Sequence, residues 1–173
     1  MSEFGVTADD VWRTAVIRDF AASELFDRTF REGMELVEET AAYLDGAGRQ
    51  ESKRLSRKTA LAYASESMRL TTRLMQMASW LLVQRAVREG QMVPTDACHE
   101  RYRVGEEIAR AAEETRDEHL PSGLLGLLER ASRLYERVSH LDRRMYVEVT
   151  TDAQSRAVLT QMDRLQAAFG AGG

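Results

Sequence analysis

Residues 51–89 contain neither glycine nor proline, and no other feature of the chain limits its fold so strongly. A breaker-free stretch of that length reads as one helix, roughly 58 Å long at about 1.5 Å per residue. On a wheel of about 100° per residue, Leu61, Tyr63, Ala64, Met68, Leu70, Leu74, Met75, Met77, Ala78, Leu81 and Leu82 fall inside one arc of about 200°. That arc is wider than the stripe of a surface helix. The segment is therefore expected to be a central helix with neighbours on two sides.

Two further long helices flank it. From Ser23 to Leu44, Phe26, Phe30, Met34, Val37, Ala41 and Leu44 follow three- and four-residue steps, with Ser23 as N-cap and Gly46 as a left-handed stop. From 123 to 144, Leu124, Leu127, Leu128, Ala131, Leu134, Tyr135, Val138 and Leu141 share a face. Between them the chain breaks at Gly90 to Pro94. Val104, Ile108, Ala111, Ala112 and Thr115 then make a narrow stripe of mostly small residues, suited to a shorter companion helix. The prediction is all-α: an antiparallel up-and-down bundle of three main helices with that companion and a loosely attached C-terminal segment.

Three regions follow from this reading. Residues 1–22 form an N-terminal arm or a short helix carrying Trp12, Val16 and Phe20 on one face. Residues 23–146 form the bundle. Residues 147–173 form a flexible tail: Val147, Val149 and Thr150 are β-branched and disfavour helix, after which Val158, Leu159, Met162, Leu165 and Phe169 make an amphipathic stripe.

Charge alternates along the chain. Residues 1–50 carry 11 acids and 5 bases, residues 51–89 carry 3 and 8, residues 90–120 carry 8 and 4, and residues 121–173 carry 6 and 7. Successive segments of opposite sign read as neighbours whose outer edges attract, at about 0–1 kcal/mol per exposed pair. No apolar run is long enough to span a bilayer, and residues 1–10 lack a basic start and an apolar stretch, so no secretory signal is expected. Cys98 stands alone, which excludes an internal disulfide and suits a reducing cytoplasm. Cytoplasmic location is the expectation.

Nothing in the sequence gathers reactive groups. His99, His119 and His140 have no Cys, Asp or Glu at a metal-ligand spacing, and no cofactor is expected. Glu38/Glu39, Glu106/Glu107 and Glu113/Glu114 are adjacent pairs that point about 100° apart on a helix and read as solvated edges. There is no phosphate loop, nucleophile elbow or dinucleotide fingerprint. The chain reads as a non-enzyme that binds proteins.

Two features could carry that binding. Lys53, Arg54, Arg57 and Lys58 place positive charge at the start of a helix, where the macrodipole disfavours it. Pairing with the acidic end of the first helix, Glu35 to Asp45, accounts for this; so does an anionic partner. Arg69 and Arg73 extend the basic line, but no aromatic residues are interleaved with it and the net charge is −4, so nucleic acid is a weak reading. Trp80, Val83 and Val87 lie opposite the main apolar arc. They are either covered by the returning 91–120 segment or left as a contact surface.

Two runs carry a family resemblance. Leu25-Phe26-Asp27-Arg28-Thr29-Phe30-Arg31-Glu32-Gly33-Met34, followed by Leu36-Val37-Glu38-Glu39-Thr40-Ala41-Ala42-Tyr43-Leu44-Asp45, is one. Tyr63-Ala64-Ser65-Glu66-Ser67-Met68-Arg69-Leu70-Thr71-Thr72-Arg73-Leu74-Met75-Gln76, continuing to Ser79-Trp80-Leu81-Leu82, is the other. Over about residues 20–145 the chain resembles the bacterial regulators of CtrA degradation (RcdA). The resemblance implies a helical, non-enzymatic adaptor that helps a response-regulator-primed ClpXP protease take up cell-cycle transcription factors. It would tether this cargo directly or through a second, cyclic-di-GMP-binding adaptor, and would be able to self-associate as a homodimer. It also implies a delivery role for the C-terminal extension, here 147–173, a stretch that matches neither quoted run. Joined to the residue reading, this makes Arg69, Arg73, Trp80, Val83 and Val87 one candidate partner surface, and Val158, Met162, Leu165 and Phe169 another. A self-associating scaffold without a protease role, and nucleic-acid binding through the basic turn, are the competing expectations.

Overall fold

The computed structural model describes residues 8–104 and 119–145, with side chains from residue 11 onward. The companion-helix stripe from Ile108 to Thr115 and the tail with Val158, Met162, Leu165 and Phe169 lie outside the described residues. The elements are α1 (Ala8–Ala21), α2 (Glu24–Asp45), α3 (Ala47–Ser52), α4 (Arg57–Arg88), α5 (Pro94–Ala97), one 3-10 turn (Glu100–Tyr102) and α6 (Ser122–Arg143). The fold is all-α, and the described residues form no strand.

Local chemistry sets the helix ends. Ser23, in an extended conformation, accepts a hydrogen bond from the Phe26 backbone N–H at 3.2 Å and opens α2 as expected. Gly46 does not adopt a left-handed conformation: φ and ψ are both −106°, and the chain re-enters helix at once as α3. The expected helix over 51–89 therefore begins later, at Arg57. Ser56 takes φ −60°, ψ 158°, and its hydroxyl accepts from the Thr59 N–H at 3.2 Å. The break after α4 falls where expected, at Gly90, whose φ of +71° is the one positive value among the described residues.

Side-chain pairs fix the helix directions. Arg137 meets Glu32, and Arg130 meets Glu39, both at 2.5 Å, so α6 runs against α2. Arg88 pairs with Asp27, while Gly33 lies against Leu81, so α4 also runs against α2. Among the described residues, Glu32 and Glu39 of α2 are thus met by α6, and Asp27 by α4. At the far end, the Tyr43 ring lies between two backbones. A Cβ built on Gly48 would come within 2.6 Å of it, and one on Gly123 within 2.5 Å. Only glycine permits that approach. The Tyr43 hydroxyl donates to Glu51 at 2.7 Å, and burial together with this carboxylate pushes its phenol pKa well above the ordinary value.

The core contains Phe26 and Leu36 from α2, Leu70, Leu74, Met77, Trp80 and Leu81 from α4, and Leu124, Ala131, Leu134 and Val138 from α6. α1 is a helix rather than an arm. Its buried face is Ile17 and Ala21, with Phe20 half-buried against Trp80 at 5.9 Å between ring centroids, whereas Trp12 of the expected stripe is half-exposed.

Candidate protein-binding surface

Tyr63, Leu70, Leu74, Met77 and Leu81 of the wheel's apolar arc are buried as expected, but two rows of α4 differ from the wheel. Trp80, at 1% exposure, is buried together with Val83 and Val87, so this row is core and not an open contact surface. α1 supplies part of its cover through Phe20, and α6 supplies the polar partner: the indole N–H donates to Asp142 at 2.9 Å. The guanidinium of Arg103, beyond the 3-10 turn, grips the same carboxylate at 2.9 Å. Arg73 is also turned inward. It donates to the Ser132 hydroxyl at 2.9 Å and lies 5.2 Å from the Tyr135 ring centroid, so it ties α4 to α6. Neither Trp80 nor Arg73 is displayed to a partner in this fold.

About 100° around the helix from that row, Leu61, Met68, Met75 and Leu82 are 75%, 72%, 67% and 51% exposed. The wheel assigned all four to the core. The wheel takes no account of where neighbours sit: α1 packs on α4 at Trp80 through Phe20, and Trp80, Val83 and Val87 are buried. The four residues stand at strict seven-residue intervals, with exposed Ser65, Thr72 and Ser79 between them. Large and small residues thus alternate in three- and four-residue steps, the spacing of a coiled-coil seam. Arg69 borders the row and pairs with Glu66 at 3.1 Å.

The basic turn at the start of α4 is not neutralised by the end of α2, contrary to one of the two expectations. Arg54, Arg57 and Lys58 are exposed and have no acidic partner among the described residues. Glu39 is engaged by Arg130, and Glu51 by Tyr43. Insertion of α3 between α2 and α4 separates the two charge groups.

Elsewhere the described residues offer little for chemistry. His99, His119 and His140 are all exposed, and no group of three or more His, Cys, Asp or Glu could hold a metal ion among the described residues. A cleft of about 70 Å³ lined by Arg13, Ile17, Pro94 and Cys98 is well below the size of a small-molecule site. No described helix is long and apolar enough to cross a membrane.

No curated protein matches the chain. Among solved structures it is similar to the crystal structure of RcdA from Caulobacter crescentus CB15, with 68% sequence identity and a TM-score of 0.63. The match covers 75% of this chain and 98% of that one. Residues 17–169 match the family described as protein of unknown function (DUF1465), and with RcdA as so near a relative the chain belongs to that family.

Proposed function

We propose that this chain is a non-enzymatic adaptor of regulated proteolysis in the cytoplasm. It tethers cell-cycle transcription regulators, directly or through a second adaptor, to a ClpXP protease primed by a response regulator. The observation that carries the reading is the outward row Leu61, Met68, Met75 and Leu82, four large apolar side chains held on a rigid bundle. Similarity to RcdA supports the protease context. Tethering needs no reactive group. It raises the effective concentration of cargo to about the millimolar range for short flexible linkers, so modest contacts suffice. In this reading the tail bearing Val158, Met162, Leu165 and Phe169 is the second binding element.

Reconstituted degradation tests the proposal. ClpXP, the response regulator, the second adaptor and a fluorescent cell-cycle cargo are mixed with or without this chain. The chain is expected to accelerate cargo loss, and Met68→Glu/Met75→Glu to remove the acceleration while leaving the helical circular-dichroism signal intact. Degradation indifferent to the chain overturns the reading.

The order Leu, Met, Met, Leu is the same in both directions, which favours a second reading: two copies pair antiparallel through this row. Sedimentation across dilution discriminates, since a dimer that persists and recruits neither protease nor cargo supports a scaffold.

A further inference from the structure

We infer that α1 is an exchangeable helix: it swings out on Ala22 and Ser23 and seats itself on the Trp80 face of a second copy of this chain, whose own α1 does the same in return. The surface used is the buried groove under α1, not the outer row of α4. The inference goes beyond the adaptor reading and stands whether or not that reading does.

The hinge carries the argument. Residues 18–26 contain no glycine or proline, and Ala21, Ala22, Glu24 and Leu25 within them are strong helix formers. The bend between α1 and α2 is held at Ser23. Its backbone is extended, with φ −81° and ψ 153°. Its hydroxyl donates to the Phe20 carbonyl at 2.6 Å and accepts from the Phe26 N–H at 3.2 Å, bridging the two helix ends. If Ser23 turns helical, α1 and α2 join into one continuous helix. The two helix ends at the junction, each with about four backbone groups lacking intrahelical partners, then disappear.

The groove selects the occupant. Ile17 and Ala21 are fully buried, and Phe20 packs at 5.9 Å from both the Trp80 and the Phe26 ring centroids. Toward the start of α1, Val11 and Trp12 are 60% and 50% exposed, so the helix is held mainly by its second half. In a lone chain a straightened hinge carries Ile17, Phe20 and Ala21 into water and uncovers Trp80, which opposes opening. Two opened copies remove that cost. Each α1 finds in the other copy the same groove that it left, so the contacts of the closed chain are rebuilt everywhere but at the hinge. Exchange also brings the two hinges together at the two-fold axis, where Leu25, apolar and 43% exposed, is placed to be covered.

Position 24 offers a lock. It is the first residue of α2, and Ser23 before it already has the extended backbone that a following proline requires. Glu24→Pro therefore fits the bent chain, whereas in a continuous helix its ring collides with the Phe20 carbonyl. Ser23→Ala acts the other way, since it removes the bridging hydroxyl and favours helix.

Thiol bridging tests the exchange. Thr14 and Cys98 line one cleft between α1 and α5, and Cys98 is the only cysteine of the sequence. In a Thr14→Cys chain, a short bis-maleimide joins positions 14 and 98 within one chain when α1 is at home, and between two chains when it is exchanged. A denaturing gel separates the two products. Every chain also carries Met68→Glu/Met75→Glu, which removes pairing through the outer row, and is refolded from urea at high and at low concentration. With the native hinge, inter-chain bridges are expected after concentrated refolding and not after dilute refolding. Ser23→Ala should raise the dimerisation constant about twentyfold, from an effect of about fivefold at each of two hinges. Glu24→Pro should reduce inter-chain bridges to background.

Bridges confined to single chains in both the native hinge and Ser23→Ala overturn the proposal. So do inter-chain bridges that Glu24→Pro leaves undiminished, and so does the absence of any bridge. Melting curves check folding, and should one hinge variant fail to fold, the other decides against the native hinge.

Discussion

Along α4, the face turned into the bundle carries an arginine, a glutamine and a tryptophan that needs a carboxylate, whereas the face turned to water carries two leucines and two methionines. Each face departs from the usual division, and the departures have opposite physical meaning. Two donors on the inner face have named acceptors on α6: Ser132 for Arg73 Nη1 and Asp142 for the Trp80 indole. Those matches are directional, so they select α6 and its register as well as adding to packing. The apolar outer row has no match among the described residues, and each of its side chains would contribute about 1.5–3 kcal/mol if fully buried. One face is covered by described helices; over the other no described element lies.

The sharpest test of the inner face is Trp80→Ala. Removing the largest fully buried side chain should cost about 3–5 kcal/mol, read as a lowered urea midpoint. Asp142→Ala comes next. It leaves the indole N–H and the Arg103 guanidinium without their shared acceptor, at about 2 kcal/mol, moderated because the Arg103 side chain keeps some contact with water. On the outer face, Leu61→Glu or Met75→Glu should change stability by no more than about 0.5 kcal/mol in the same titration. An outer-row variant that costs as much as Trp80→Ala would erase the distinction between the faces.

Most of the architecture was legible because it depends on local signals. Ser23 sits before an apolar repeat and caps α2, Gly90 ends α4, and the Leu124–Leu141 stripe forms α6. The start of α4 was misplaced because residues 51–56 hold no strong breaker, and Ser56 stops the helix only by turning its hydroxyl onto the Thr59 N–H. Two rows of the candidate surface were read with the wrong exposure. Periodicity counts apolar residues without knowing where a neighbour lies, and the position of α1 over Trp80 follows from long-range packing. Strict seven-residue spacing of Leu61, Met68, Met75 and Leu82 was the available clue, since a seven-residue seam is the mark of a two-helix contact. Arg73 was read as basic surface for the same reason: its destination, Ser132, is 59 positions away.

The Tyr43 corner makes mutational tolerance conditional. With the phenol ring in place, a methyl group at position 123 collides with it, so alanine there should be acceptable only after Tyr43 has been reduced in size. Position 48 is bound twice, because the Tyr63 hydroxyl also lies 2.6 Å from where its Cβ would be. Divergence at this end of the molecule is therefore ordered in time: the aromatic must yield first, and the glycines are free to drift only afterwards.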